Sequence, residues 1–366
     1  MQSRANMRAV VFTPENRKVH LVDRPEPRRP RDAEVLLSPI EVGVCGTDRE
    51  IIGLEHGAPP PGAADLVLGH EALAEVVEAG PDATWARPGD LVVPTVRRPC
   101  PNPRCPACSQ GRPDYCVTGE FSERGIVRAD GFMTEAVLEH ERFLVPVPRA
   151  LADVAILLEP LSVIVKGVDD YEAVRARMGF ELPRPRGLVL GAGPIGLLAA
   201  MVLVAEAVET YVFSREPETE PRADLIRSFG ATYVSAASTA LDKLSDRSGS
   251  FDVVFEAVGV PEVAFGALPV LAPNGIAILS GIPAVRGPVL AELGRWMRDL
   301  VLENQAVLGT VSAGRSSFEG ATRRLEQCMA LFPQAVRSLI RRAPLAQAPD
   351  VLARGRAIKD VITIKG

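Results

Sequence analysis

The sequence predicts an α/β protein in two parts: a β-rich first domain, and a second domain built on a doubly wound parallel sheet. Three observations predict it. Short alternating apolar runs, broken by Pro and Gly, fill the first 150 or so residues. From Arg186 onward, apolar strands alternate with helical stretches, which is the pattern of βαβ units. At the first of those junctions stands Gly191-Ala192-Gly193-Pro194-Ile195-Gly196, a G-x-G-x-x-G between a strand at 188–190 and a helix at 197–205. The first glycine permits the tight turn, the second lets a pyrophosphate approach the backbone, and the third lets the helix pack close to the strand. Free N–H groups at the helix N-terminus then face the phosphate. Gly191, Gly193, Pro194, Ile195 and Gly196 are therefore the expected dinucleotide contacts.

Composition narrows the function. A chain of 366 residues is long enough for two domains, each with its own core. A net charge of −5 gives no electrostatic case for nucleic acid or an anionic membrane. The uncharged stretch 187–205 is long enough to span a bilayer, but Gly-Ala-Gly-Pro in its first half breaks such a helix. The N-terminus, MQSRANMRAV, lacks the apolar run of a secretion signal, and six cysteines in so long a chain do not make a disulfide framework. The expected location is the cytoplasm.

The first strands fall at 8–12 and 20–23, followed by a Pro/Arg-rich turn at 24–31 and a longer strand at 34–44. That strand ends in Val44-Cys45-Gly46-Thr47-Asp48, and 25 residues after Cys45 comes Gly69-His70-Glu71, opening a second apolar strand. Each residue alone is commonplace. A thiolate, an imidazole and a carboxylate at the ends of neighbouring strands together hold a Zn²⁺ and leave a position open for substrate. Next, Cys100, Cys105, Cys108 and Cys116 are spaced C-x4-C-x2-C-x7-C in a Pro/Gly-rich loop. Four thiolates form a closed, structural Zn²⁺ site that stabilises a loop too poor in apolar residues to fold alone. Nucleic-acid zinc ribbons use similar spacing, but the acidic balance and the absence of a basic-aromatic stripe argue against one.

In the second half, the stretch 209–216 reads as the second strand of a βαβ unit, near whose end an NAD-preferring site carries an acid for the ribose 2′-hydroxyl. Ser214 holds that place, 23 residues after Gly191, and Arg215 follows. A hydroxyl and a guanidinium suit a 2′-phosphate, so NADP is the expected preference. Glu216 is adjacent and suits a ribose hydroxyl, so NAD stays open. Strands at 251–259 and 275–281 border the expected nicotinamide position. A helix at 318–332 and a final strand at 360–364 return to the first domain.

In this order the motifs resemble the zinc-dependent medium-chain dehydrogenase/reductase superfamily over almost the whole chain. Within it the chain is most similar to the microbial glucose 1-dehydrogenase family. The residues that carry the likeness are 93–99 (VPTVRRP), Glu123-Arg124-Gly125-Ile126-Val127, Gly131-Phe132-Met133, Leu158-Glu159-Pro160-Leu161-Ser162, Ala272-Pro273-Asn274-Gly275 and Val301-Leu302-Glu303-Asn304. The resemblance implies a GroES-like catalytic domain at 1–166 with a structural zinc lobe at 97–120. It further implies a Rossmann domain at 167–310 and a return to the catalytic domain at 311–366. It assigns the catalytic zinc to Cys45, His70 and Glu71, with Glu159 as an additional carboxylate ligand. Thr47 is implied as the proton relay, Glu123 as a sugar contact and Asn304 as a cofactor contact. Two departures touch the substrate pocket: Ser312 replaces a sugar-binding Asn, and Met297 stands where relatives carry a polar residue. The first cysteine gap is four residues, where the family has two. The implied activity is oxidation of an aldose to its lactone with NADP or NAD, in a homodimer or homotetramer. Fewer polar partners suit fewer hydroxyls, which leaves a polyol, an amino-cyclitol or a hydroxy-amino acid as alternative substrates. A non-catalytic nucleotide-binding relative is disfavoured, because Cys45, Thr47, His70, Glu71 and Glu159 are all present.

Overall fold

A computed structural model describes residues 6–284, 287–288 and 292–365. They form two compact units. The first comprises Met1–Ser162, Ser312–Thr322 and Arg337–Gly366, and the second Val163–Val311 and Arg323–Val336.

The first unit is built around the strand Glu34–Gly43. Its apolar residues are buried at nearly every position, as expected for a strand paired on both sides. It is central in a seven-stranded sheet that runs Leu144–Pro146, Leu91–Pro94, Glu71–Ala79, Glu34–Gly43, Lys359–Thr363 and Ile340–Pro344, with Val137–His140 also paired to the central strand. Register decides what meets at its end. Gly43 lies opposite Glu71 on one side and opposite Val361 on the other. A core of Val10, Phe12, Val42, Leu68, Phe132, Met133 and Ile362 fixes that register, because a slip of one residue would turn each of these side chains to the wrong face. A smaller sheet pairs Arg97–Arg98 with Ser122–Arg124, and the cysteine loop leaves from one strand and returns to the other.

The second unit contains the expected parallel sheet. Its six strands run in the order Thr232–Ser235, Glu209–Ser214, Arg186–Leu190, Phe251–Glu256, Leu271–Leu279 and Ala306–Gly309. The order reverses at Arg186–Leu190, the strand that carries the glycine loop, which is where doubly wound sheets bind dinucleotides. The helix after the loop spans Pro194–Ala205 and so begins three residues before the stretch read from apolar pattern. Proline suits a first helical position, where its missing N–H has no partner to lose. Gly191 adopts φ +101°, and a Cβ on Gly196 would stand 2.0 Å from the Gly191 carbonyl oxygen, so both positions need glycine.

The helix Arg315–Leu331 gives its first residues to one unit and its later ones to the other. Arg324 anchors the later part, with hydrogen bonds and ion pairs to Glu206 at 2.7 Å and Asp169 at 3.0 Å. Among the described residues no helix is long and apolar enough to cross a membrane.

Candidate active site

The strand Glu34–Gly43 delivers Cys45 to the N-cap of the short helix Gly46–Ile52. The Cys45 N–H donates to Asp48 Oδ2 at 2.8 Å, which fixes the turn. His70 and Glu71 enter from the adjacent strand. The ligand atoms of Cys45, His70 and Glu71 all lie within 4.8 Å of one another, with His70 and Glu71 buried. Thr47 Oγ1 is 3.9 Å from Cys45 Sγ. The approach is close: a Cβ on Gly43 would stand 2.0 Å from Glu71 Oε2.

These residues fit a zinc ion. His70 Nδ1 is buried without a hydrogen-bond partner, 3.8 Å from an equally unpartnered Asp48 Oδ1. Burial pushes the imidazole pKa down, but Asp48, Cys45 and Glu159 outweigh it and raise it well above the ordinary value. The pocket therefore favours positive charge at its centre, and thiolate, imidazole and carboxylate are the donor set of zinc.

Glu159 sits in the first turn of the helix Leu158–Ala176 and is buried, yet it stands outside the three-residue cluster. Burial pushes its carboxyl up to about 7, with Glu71 and Glu123 adding to the rise and His70 and Lys359 opposing it. Glu123, also buried, accepts from Arg97 Nε at 2.9 Å.

Two residues here were not picked out from sequence. Asp48, fully buried, has its Oδ1 3.8 Å from His70 Nδ1 and is placed to orient the ring. Lys359 is 2 % exposed and donates to both Glu71 oxygens, at 2.7 and 2.8 Å. Burial pushes its ammonium pKa down, but Glu71 outweighs this and the pKa is raised. Its only signal in the sequence is that it is one of five lysines against 36 arginines, beside Asp360 at the start of the last strand.

The four lobe cysteines also converge, their sulfurs within 4.8 Å of one another. The long first gap does not prevent this. It is taken up by a turn in which the Cys105 N–H donates to the Asn102 carbonyl at 3.1 Å and the Arg104 N–H to Asn102 Oδ1 at 3.0 Å. Among the described residues all six cysteines are free thiols.

On the nucleotide side, Gly193 caps the helix that starts at Pro194 and continues through Ile195 and Gly196. Ser214 donates to the Glu216 carboxylate, and Arg222 Nη1 lies 3.4 Å from Glu216 Oε1, while Arg215 is exposed beside them. Glu256 is a further residue not foreseen. Its buried carboxylate accepts from the N–H groups of Val258 at 2.6 Å, Gly259 at 2.7 Å and Gly281 at 3.1 Å, joining the turns after two parallel strands. Asn304 is exposed in the left-handed conformation, φ +51°, just beyond the helix Leu293–Leu302. Ser312 is half-buried, also at φ +51°, and Met297 is 68 % exposed.

Known proteins share this architecture. The profile of the alcohol dehydrogenase GroES-like domain matches residues 31–149, and that of the glucose dehydrogenase C-terminus matches residues 152–364. The chain belongs to the glucose dehydrogenase family of medium-chain dehydrogenases/reductases. Members similar to it include the glucose 1-dehydrogenase of Methanocella arvoryzae, 40% identical over 331 residues, covering 89% of this chain and 90% of the relative. That of Thermoproteus tenax is 42% identical over 325 residues, covering 88% of each chain. Among solved structures, Haloferax mediterranei glucose dehydrogenase in complex with NADP, Zn and gluconolactone superposes with a TM-score of 0.89 at 32% identity. That match covers 98% of this chain and all of the other. The expected fold, a GroES-like domain with a Rossmann sheet, is that of the family.

Proposed function

We propose that this chain oxidises an aldose, glucose or a close relative, to its lactone, with NADP preferred over NAD. The observation that carries the reading is the convergence of Cys45, His70 and Glu71 in a buried pocket whose Glu159 feels the charge of Glu123. When bound, zinc supplies the Lewis acid that polarises a substrate hydroxyl, and the nicotinamide supplies the hydride acceptor.

The protein's own groups do the rest. Cys45, His70 and Glu71 hold the metal, and Glu159 stands by as a further carboxylate. Asp48 orients His70, and Lys359 fixes Glu71. Thr47, partly exposed beside Cys45, takes the hydroxyl proton at Oγ1 and hands it toward solvent. Glu123 accepts hydrogen bonds from sugar hydroxyls, and Ser312 adds a hydroxyl to the same pocket. Gly191, Gly193, Pro194, Ile195 and Gly196 receive the pyrophosphate, Ser214 and Arg215 the 2′-phosphate, and Asn304 contacts the cofactor. Cys100, Cys105, Cys108 and Cys116 hold a structural zinc. In domain terms, 1–166 and 311–366 form the catalytic part, with the zinc lobe at 97–120, and 167–310 the cofactor part.

The sheet edge at Ala306–Gly309, which no further strand covers among the described residues, and the exposed Met297, Val301 and Leu302 before it support a homodimer or homotetramer. Six free thiols suit the reducing cytoplasm. A second reading, oxidation of another secondary alcohol such as a polyol, amino-cyclitol or hydroxy-amino acid, rests on Ser312 standing where the family has an Asn.

Initial rates of nicotinamide reduction on glucose, other aldoses, polyols and simple secondary alcohols, with NADP and NAD run separately, test both readings. Aldose turnover with NADP preferred is the expected result. Silence on every aldose, with turnover of a polyol, overturns the first reading in favour of the second.

A further inference from the structure

Neighbouring residues on a strand point to opposite faces, and the pair Arg97–Arg98 shows it. Arg98 turns to the buried Glu139. Arg97 lies opposite Glu123 in the antiparallel register and turns to it. Its Nε donates to Glu123 Oε1 at 2.9 Å, its Nη1 donates to the backbone carbonyl of Asp114 at 3.2 Å, and its guanidinium carbon lies 3.8 Å from the centre of the Phe121 ring. The Arg97 and Glu123 side chains are 10% and 9% exposed.

Asp114 is two residues before Cys116 and is itself fixed. Its side chain is fully buried, Arg112 pairs with it at 3.0 Å, and a Cβ on Gly314 would stand 2.8 Å from its Oδ1. One planar guanidinium therefore grips the Glu123 carboxylate, the backbone of the cysteine lobe and the aromatic ring between them. A fork held at three points has a single orientation, and among the described residues no other side chain bonds the Glu123 carboxylate. The ion pair uses Oε1 and leaves Oε2 outside it.

We propose that Arg97 is a positioning residue that transmits the geometry of the four-cysteine lobe to Glu123, so that the lobe governs affinity for the sugar. The proposal rests on the reading of Glu123 as a sugar contact. It gives the lobe a second task besides stabilising its own loop.

The test uses the zinc-loaded full chain and four variants: R97K, R97M, E123Q and the double variant R97M/E123Q. For each, KM and kcat for glucose are measured at saturating NADP, gluconolactone binding is measured by calorimetry, and zinc per chain by elemental analysis. Displacing a substrate-holding group by about 1 Å costs up to about a hundredfold, so R97K and R97M are expected to raise KM and weaken lactone binding about ten- to hundredfold. Zinc content, kcat and the KM for NADP stay within about twofold of the parent. The double variant is expected to bind no worse than E123Q alone, since both changes remove one interaction. R97K matters most: it keeps the positive charge but loses the planar fork that fixes Glu123 relative to the Asp114 backbone. A parental KM in R97K while E123Q raises KM overturns the proposal, as do additive losses in the double variant. A parental KM in E123Q instead overturns the sugar-contact reading itself.

Discussion

Replacing Lys359 with Met removes the one cation that, among the described residues, bonds Glu71, while keeping most of the side chain's volume. Both Glu71 oxygens lose their donor, at 2.7 and 2.8 Å, and the carboxylate is 0 % exposed. Water cannot reach it, so the loss is that of a broken buried ion pair, about 3–5 kcal/mol. A domain of 150–250 residues loses about 2–4 °C per kcal/mol, so the zinc-free protein should melt about 6–20 °C lower. The assay is differential scanning calorimetry of zinc-stripped protein, following the transition of the first unit. The control is the same change made on E71Q, which leaves no buried charge to strand and should lower the melting temperature by no more than about 4 °C, within about 1 kcal/mol. If Lys359→Met melts within about 2 °C of the parent, well under 1 kcal/mol, Glu71 does not depend on Lys359 and the reasoning fails.

Three more outcomes are expected. Burial pushes the Glu139 carboxyl up, but Arg98 and Arg124 outweigh it and hold it at about 2, against an ordinary 4.5. Its folded pKa is depressed, so its stabilisation of about 3 kcal/mol is fully present above about pH 4.5 and is lost as pH falls toward 2. Glu139→Gln should flatten the fall in melting temperature across that window, and an unchanged slope would contradict the assignment. Gly43→Ala places a methyl 2.0 Å from Glu71 Oε2. Because Lys359 holds that carboxylate, the clash should cost about 1–3 kcal/mol and lower the zinc content by one ion per chain; full zinc at the parental melting temperature would refute this. Arg215→Ala should raise KM for NADP about tenfold, the low end for a charge-assisted hydrogen bond at an exposed site. KM for NAD should hardly move, and equal changes for both cofactors would remove Arg215 from the 2′-phosphate site.

Much of this molecule is legible from sequence because its signals are local. The period-2 runs gave the strands, and the glycines at 191, 193 and 196 mark a turn that no other residue fits at two of the three positions. Cys45 and His70-Glu71 are legible because each closes or opens a strand, so the sheet register brings them together without further instruction. Lys359 is not legible, since nothing in its neighbours says that the last strand will pair with the strand ending at Gly43. Glu256 escapes for a different reason: its partners are backbone N–H groups, which every residue but proline carries and no sequence pattern marks. The start of the helix at Pro194 shows the reverse case, where apolar pattern alone misses residues that the backbone geometry admits.

The pairing of Glu71 with Lys359 also fixes an order in time. The two residues are 288 positions apart, which at 5–20 residues per second is about 15–60 s of synthesis. Throughout that interval the emerging first unit carries a carboxylate destined for a dry interior and no cation to meet it. The stretch Val163–Val311 is made whole within the same interval, so most of the second unit is available to fold while the first still lacks the strand Lys359–Thr363.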